Sequence, residues 1–205
     1  MSSTVDKKQQ KRNGVTAVSC SADGQYIAVG CKDGSIHILS VDSNLRRIGI
    51  CKGHTSQIKN IDFSRDGRYI KSSDSSHDLL YWEVASAGRF NNVAAIKALT
   101  WESFSCLYGW GLQGIFNTNV AGQFDQDLNC VARSPDCRFL LVGSVHSNQI
   151  KHFRYPCLAD AQPVEQLQGH STAVVDMAFN LSNQIVSAGG QDCTIIVWEI
   201  IPNNT

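Results

Sequence analysis

The chain has 205 residues, of which 42% are hydrophobic and 18% charged, and its formal net charge is zero. Its longest apolar runs have the length of strands, far below the 18 or more residues that a membrane-spanning helix needs, and the first 14 residues are polar rather than signal-like. The eight cysteines show no Cys-x-x-Cys spacing, which argues against a zinc site and favours reduced thiols in a cytoplasmic protein.

Charge is distributed unevenly along the chain. Residues 1–59 contain nine Lys or Arg and four Asp or Glu, a net charge of +5, and the remainder carries −5. A solvated tail over residues 1–13 is the simplest interpretation, and the alternative is salt-sensitive attraction of this basic part to an acidic polymer. We expect no nucleic-acid binding, because no aromatic platform is interleaved with the basic residues.

Four similar units follow in chain order, each with a strand, a polar turn, a second strand, a second turn and a third strand. A Ser-x-Asp marker opens the first turn of three units, and its Asp23 and Asp66 are 43 residues apart. In two units a Gly-His pair is followed by Trp, with 28 residues from His54 to Trp82 and from His170 to Trp198. A period of about 40 to 45 residues predicts WD40 propeller blades. The first strands of the units are predicted to begin near Val15, Ile58, Leu128 and Val174.

The last unit carries the most complete marker set. His170, Ser187, Asp192 and Trp198 occupy the positions whose side chains form a hydrogen-bonded chain inside a WD blade. A buried imidazole, hydroxyl, carboxylate and indole each need a partner, and such a chain supplies one to all four. We therefore predict a structural tetrad rather than a catalytic one.

The other units keep only part of this set. The partial tetrad comprises His54, Trp82 and Asp33, whereas Leu39 and Phe153 stand at Trp positions. These blades are expected to form mainly through burial of apolar strand residues, with fewer internal polar contacts.

The second unit leaves two assignments open. Its hydroxyl comes from Ser72 or Ser73, and Asp74 or Asp78 is expected to compensate for a serine at the usual Asp position. Between this unit and the third, residues 85–124 are rich in aromatic residues and glycine. We predict two or three irregular strands there, as in a divergent blade.

Several segments resemble the second propeller of the echinoderm microtubule-associated protein-like family. They are the runs Leu79-Leu80-Tyr81-Trp82, Thr100-Trp101, Ser105-Cys106, Gly114-Ile115-Phe116, Asn129-Cys130-Val131-Ala132-Arg133-Ser134, Phe153-Arg154-Tyr155-Pro156-Cys157 and Gly169-His170-Ser171, with Val174 and Ser187-Ala188-Gly189-Gly190-Gln191-Asp192. The Tyr-Pro-Cys step and the Thr-Trp to Gly-Ile-Phe insert are not general WD features. The resemblance runs from about Ala17 to Ile200 and implies a module that contacts tubulin, in a family whose members usually carry a preceding basic coiled coil.

The expected organisation is an all-β, incomplete or open WD40 propeller over residues 14–200, between tails at 1–13 and 201–205. Its units are placed near 14–52, 53–84, 125–157 and 164–200, with the irregular strands at 85–124. Seven blades of about 40 residues would need on the order of 280 residues, so this chain is expected to leave exposed strand edges and apolar surface. A partner, or a missing half of the propeller, is expected to cover that surface.

Two functions from different classes fit these features. The first is a microtubule-associated protein that binds tubulin, microtubules or a microtubule-associated complex; the alternative is a general WD40 scaffold without direct tubulin contact. Catalytic, metal and cofactor sites are not expected, because the chain has no phosphate loop, no Gly-x-Ser-x-Gly and no His-Glu-x-x-His. The candidate partner-binding residues lie in the loops before first strands and in the turns between second and third strands: Lys32, Lys52, Thr55, Ser56, Gln57, Ser75, Ser171, Thr172 and Gln191.

Overall fold

Four antiparallel sheets make up the fold in the computed structural model, which describes residues 13–116, 128–158, 163–180, 182 and 184–199. The first sheet comprises β1 (Val15–Cys20), β2 (Tyr26–Cys31), β3 (Ile36–Ser40) and β4 (Arg46–Cys51). The second comprises β5 (Ile58–Phe63), β6 (Tyr69–Asp74), β7 (Leu79–Glu83) and β8 (Gly88–Arg89). The third comprises β9 (Leu128–Arg133), β10 (Phe139–Ser144), β11 (Gln149–Arg154) and β12 (Glu165–Gln168). The fourth comprises β13 (Val174–Phe179), β14 (Ile185–Gly189) and β15 (Ile195–Trp198).

Each sheet is a meander in which neighbouring strands are consecutive in sequence. This arrangement confirms the predicted all-β propeller, and the first strands of all four units begin at the predicted residues. Among the described residues, helical segments occur at α1 (Val93–Ile96) and at a 3-10 helix (Trp110–Ile115), both in the insert after the second sheet. None of the helices in these described ranges is long and apolar enough to span a bilayer.

The Ser-x-Asp markers fix the turn between the first and second strands. In three sheets the serine Oγ donates a 2.6 Å hydrogen bond to the aspartate two residues later, in the pairs Ser21–Asp23, Ser64–Asp66 and Ser134–Asp136. The same serine oxygen accepts from the backbone N–H that starts the second strand, as at Tyr26. In the fourth sheet Asn180 Oδ1 takes over this role by accepting from the backbone N–H of Gln184.

Neighbouring sheets pack face to face. Residues of β2, β3 and β4 share one buried cluster with β5, β6 and β7, which joins the first and second sheets around Phe63 and Trp82. A second cluster joins the third and fourth sheets around Leu141 and Val174. A Cβ at Gly143 of β10 would lie 2.5 Å from Cys130 Sγ of its own sheet and 3.0 Å from Val174 of the following sheet, so the two sheets are in close contact there.

The insert differs from the strands predicted over residues 85–124. In the part of it that the structure describes, pairing is limited to β8 and a single bridge between Ser64 and Trp101. Gly109, at φ +148°, precedes the 3-10 helix, and Leu112 within that helix is fully buried. Short helical turns here bring buried apolar side chains against the third sheet without an alternating pattern. Residues 117–124 lie outside the described ranges.

The structure also adds a fourth strand to three of the units. β4, β8 and β12 form the outer edges of their sheets, where the sequence predicts only three strands per unit. β4 begins with two exposed arginines and β12 has only Leu167 as an apolar residue, so neither shows the alternation typical of a half-buried strand.

The outward faces of the two end sheets expose apolar residues. Val15 and Val18 of β1 are 59% and 61% exposed, and Ile195 and Val197 of β15 are 74% and 57% exposed. By contrast, the corresponding apolar residues between sheets are buried. These uncovered faces are those expected of an open propeller.

Candidate functional site

One end of the sheets carries both the loops before first strands and the turns between second and third strands. We call it the loop end. Contacts between adjacent segments define it: Ser75 N donates to Gln57 O at 3.0 Å, and Gly190 N donates to Ala173 O at 2.9 Å. Across the first two sheets, a Cβ on Gly34 would lie 2.7 Å from the carbonyl oxygen of His54. All nine candidate partner-binding residues lie in these segments.

In the second sheet a buried polar chain supports the loop end. Trp82 Nε1 donates to Ser72 Oγ at 2.8 Å, and Ser72 Oγ lies 2.7 Å from His54 Nε2. His54 Nδ1 lies 3.2 Å from Asp74 Oδ2. Burial lowers the pKa of His54 against the opposing effect of Asp74, so the neutral ring can receive the Ser72 hydroxyl proton on Nε2 while its Nδ1 lies beside the Asp74 carboxylate. Ser72 and Asp74 are thus the members that the sequence left undecided.

Asp74 also orders the adjoining turn. Its Oδ1 accepts from the backbone N–H groups of Ser76 and Asp78 at 2.9 and 3.0 Å, and its Oδ2 accepts from that of Ser56 at 3.3 Å. Burial alone would raise its pKa, but these hydrogen bonds and His54 lower it. One carboxylate therefore links the loop before β5 with the turn before β7.

The fourth sheet contains the corresponding chain. Trp198 Nε1 donates to Ser187 Oγ at 2.8 Å, and His170 Nε2 lies 2.8 Å from the same oxygen. His170 Nδ1 lies 2.9 Å from Thr194 Oγ1 and 3.4 Å from Asp192 Oδ2, so Thr194 is a member that sequence reasoning missed. Burial opposes ionisation of Asp192, yet hydrogen bonds from Thr194, Ser171 and His170 lower its pKa to about 2.

The first and third sheets lack this chain. Asp33 Oδ1 accepts from the N–H and hydroxyl of Ser35, at 2.9 and 2.6 Å, and so closes its own turn rather than joining His54. Leu39, at the Trp position, lies on the uncovered face of the first sheet, whereas Phe153 at that position in the third sheet is buried against the insert. The backbone N–H of Ser147 donates to Ser144 Oγ at 2.9 Å in the corresponding turn.

A buried ion pair attaches the insert to the second sheet. Lys71 Nζ lies 3.2 Å from Asp62 Oδ2, and both side chains are almost completely buried. Asp62 also accepts from the Ser103 hydroxyl at 2.6 Å, the Ser105 N–H and hydroxyl at 2.9 Å each, and the Cys106 N–H at 3.0 Å. Burial opposes ionisation of Asp62, but Lys71 and these donors lower its pKa. Two charged strand residues thus hold three residues of the insert.

Aromatic rings of the insert complete the surroundings of Lys71. Its Nζ lies 3.8 Å from the ring centroid of Phe104 and 5.0 Å from that of Trp101. Arg133 of β9 reaches the same region, with its guanidinium carbon 5.0 Å from the Phe104 centroid and Nη2 donating to Trp101 O at 2.9 Å. The insert is therefore bound to the sheets on both sides through cation–π and hydrogen-bond contacts. The Tyr155–Pro156 peptide bond, which follows β11, is cis.

Two grooves open at the loop end. The first groove, of about 430 Å³, lies where the second sheet, the insert and β9 meet. Its lining residues are Gln57, Lys59, Asn60, Ser73, Asp74, Ser75, His77, Leu107, Tyr108, Leu128 and Asn129. The second groove, of about 460 Å³, lies between the third and fourth sheets and is lined by Asn148, Ser171, Thr172, Ala173, Val175, Gly190 and Gln191.

These grooves contain five of the nine candidate residues. Gln57 and Ser75 line the first, and Ser171, Thr172 and Gln191 line the second. The other four, Lys32, Lys52, Thr55 and Ser56, lie in loop-end segments outside both groove linings. Sequence reasoning missed the contribution of the insert through Leu107 and Tyr108, because nothing in their local pattern indicates which sheet they contact.

The basic residues of the N-terminal region do not form one patch among the described residues. Arg46 and Arg47 begin β4, and Lys52 follows its far end. At about 3.3 Å per strand residue these positions lie roughly 17 to 20 Å apart. Lys7, Lys8, Lys11 and Arg12 lie outside the described ranges.

Solved structures with a similar architecture are WD40 proteins. The chain matches "Structure of U3-55K" with a TM-score of 0.52 and 24% identity, over 92% of this chain and 50% of that one. It matches "Crystal structure of RRP9 WD40 repeats" with the same TM-score and identity, over 92% of this chain and 49% of that one. At this level of identity the likeness establishes the fold alone.

Sequence relatives identify the family. Human echinoderm microtubule-associated protein-like 2 is 30% identical over 191 residues, which cover 91% of this chain and 29% of the relative. Human echinoderm microtubule-associated protein-like 3 is 30% identical over 206 residues, which cover 98% of this chain and 22% of the relative. The chain thus spans less than a third of the length of these relatives. The profile described as "Echinoderm microtubule-associated protein second beta-propeller" matches residues 1–200, and the chain therefore belongs to the echinoderm microtubule-associated protein family as part of its second propeller.

Proposed function

We propose that this chain is a non-catalytic WD40 interaction module that binds tubulin, microtubules or a microtubule-associated complex through its loop end. The observation that carries the proposal is that polar side chains at the loop end have two distinct roles. His54, Asp74, His170 and Asp192 are used in internal hydrogen-bonded chains, and they order loops whose other polar side chains line two open grooves. An ordered polar surface suits recognition of a partner rather than bond-making chemistry.

The charges at this end support an acidic partner. Lys32, Lys52 and Lys59 are exposed, against two exposed carboxylates in the same turns, Asp78 and Asp33, the latter of which accepts from Ser35. The carboxylate of Asp74 is buried and occupied. The surface of tubulin is strongly negative, so salt-sensitive attraction would favour its association with these lysines. The names of the relatives are consistent with this partner, and we propose a cytoplasmic location at the microtubule cytoskeleton.

Co-sedimentation with microtubules at about 50 and about 150 mM salt tests the proposal. We expect pelleting that weakens at the higher salt concentration. A Lys32→Gln/Lys52→Gln variant should pellet less, and Arg46→Gln/Arg47→Gln is the matched control because it removes the same charge from an outer strand. Absence of pelleting at both salt concentrations, from a sample whose circular dichroism shows folded sheets, would overturn the tubulin proposal.

A general WD40 scaffold is the second candidate. The second groove favours it, because its lining offers hydroxyl and amide groups but no charged side chain. Such a groove is suited to the main chain of a neutral peptide segment. Reduced pelleting of a Thr172→Ala/Gln191→Ala variant, with no effect of the lysine substitutions, would favour neutral recognition over the charge-based contact.

A further inference from the structure

We propose that the first groove binds an acidic residue of an extended partner segment, with Lys59 pairing its carboxylate. This inference rests on the proposed function, since it assigns a chemical class to the segment that the loop end recognises. The groove volume of about 430 Å³ lies within the range of about 300 to 1,000 Å³ typical of ligand sites, and is large enough for a few side chains.

Lys59 is the cation of this groove. Its side chain is exposed, and no carboxylate among the residues that the structure describes lies within ion-pair distance of it. Lys59 is on β5 next to Asn60, whose Oδ1 accepts from Ser73 Oγ at 3.2 Å. That bond leaves the amide N–H groups of Asn60 available to a ligand, beside the ammonium.

The acidic residue in the lining does not oppose an anionic ligand. Asp74 accepts hydrogen bonds from three backbone N–H groups and faces His54, and only 2% of its surface is exposed. Its charge is therefore directed into the turn rather than into the groove. The free charge that a ligand meets is that of Lys59.

The opposite wall is apolar and ordered. Tyr108 stacks on Phe116 with ring centroids 5.5 Å apart and lies 5.6 Å from the His77 ring. Leu107 and Leu128 extend this wall. A cation on one side and an aromatic–aliphatic wall on the other fit a segment in which an acidic residue is next to an apolar one.

Fluorescence anisotropy with a labelled peptide of sequence Gly-Glu-Leu-Glu-Leu-Glu-Gly measures this recognition. We expect saturable binding, and Lys59→Gln should weaken it by about tenfold, because the bound carboxylate then loses the cation that the groove supplies. Lys59→Arg should restore most of the affinity. Arg46→Gln is the matched control: it removes an exposed charge of β4 outside the groove and the loop end, and should change the affinity by no more than about twofold.

Three results would overturn the assignment. They are equal binding of a control peptide in which Gln replaces each Glu, equal weakening by Arg46→Gln and Lys59→Gln, and absence of saturable binding to the folded protein. Microtubule pelleting separates this inference from the proposed function. If Lys59→Gln pellets normally with microtubules, the groove has no role in tubulin recognition and the proposed function stands. If the protein binds the peptide but does not pellet, the groove binds acidic segments and tubulin is not the partner.

Discussion

A buried ion pair contributes to the attachment of the insert to the second sheet, and its two charges can be removed separately. Asp62→Ala would leave the Lys71 ammonium buried without its counter-charge, and four hydrogen bonds from Ser103, Ser105 and Cys106 would lose their acceptor. Removing one partner of a buried pair typically costs about 3 to 5 kcal/mol in the free energy of unfolding. We expect a loss in this range for Asp62→Ala.

Lys71→Met removes the other charge and leaves Asp62 with its four donors. The loss of stability should be smaller than for Asp62→Ala, because the carboxylate keeps those hydrogen bonds. In Asp62→Asn/Lys71→Met no charge remains buried. The loss of stability in this double variant should therefore fall below the sum of the losses for Asp62→Asn and Lys71→Met, which complete the double-mutant cycle.

Urea unfolding followed by tryptophan fluorescence is the assay, since Trp101 and Trp110 of the insert report on it directly. Arg138→Ala, which removes the exposed partner of the 3.7 Å pair with Asp136, serves as the control and should cost less than about 1 kcal/mol. Unfolding of Asp62→Ala at the same urea concentration as the control variant, or simple additivity in the double variant, would refute a stabilising role for this ion pair.

Three further predictions concern acid sensitivity, the second-sheet chain and the packing of adjacent sheets. The pKa of Asp62 in the folded protein lies below its unfolded value of about 4. The ionised Asp62 should therefore stabilise the fold above about pH 4, and this stabilisation should disappear as the pH falls through the folded pKa. In circular-dichroism titrations, Asp62→Asn/Lys71→Met should lose this acid dependence. Ser72→Ala should lower the free energy of unfolding in urea by about 1 to 3 kcal/mol, because the His54 and Trp82 ring nitrogens lose their shared partner. An equal loss from the neighbouring Ser73→Ala would contradict this role. Gly143→Ala should lower the melting temperature, with a loss of about 1 to 3 kcal/mol in the free energy of unfolding, because the added Cβ would clash with β9 and β13. An unchanged melting temperature would show that the sheets separate easily there.

The strands that could be predicted from the sequence are those with a local marker. β1, β5 and β9 precede Ser-x-Asp turns, and their starts agree with the structure because these hydrogen bonds are local. β13 precedes a turn in which Asn180 has the same role, and its start agrees as well. The outer strands β4, β8 and β12 depend on edge pairing with a neighbour and carry no such marker. Their existence follows from the sheet as a whole rather than from their own sequence.

The polar sites divide in the same way. The residues of the fourth-sheet chain follow from the regular spacing of the last unit, and the structure brings them together. In the sequence, Asp62 and Lys71 look like ordinary exposed residues of alternating strands. The hydrogen-bond donors to Asp62 lie 41 to 44 residues further along the chain, in a segment without a repeat pattern. Long-range contacts of this kind, and with them the insert wall of the first groove, require the folded chain.

Hydrogen–deuterium exchange of the protein with and without tubulin tests most directly whether the loop end is the binding surface. We predict slower exchange on complex formation in residues 52–60, 73–78 and 107–108, with unchanged exchange in the opposite turns at 21–25 and 64–68. Protection confined to those opposite turns, or to the exposed faces of β1 and β15, would contradict it.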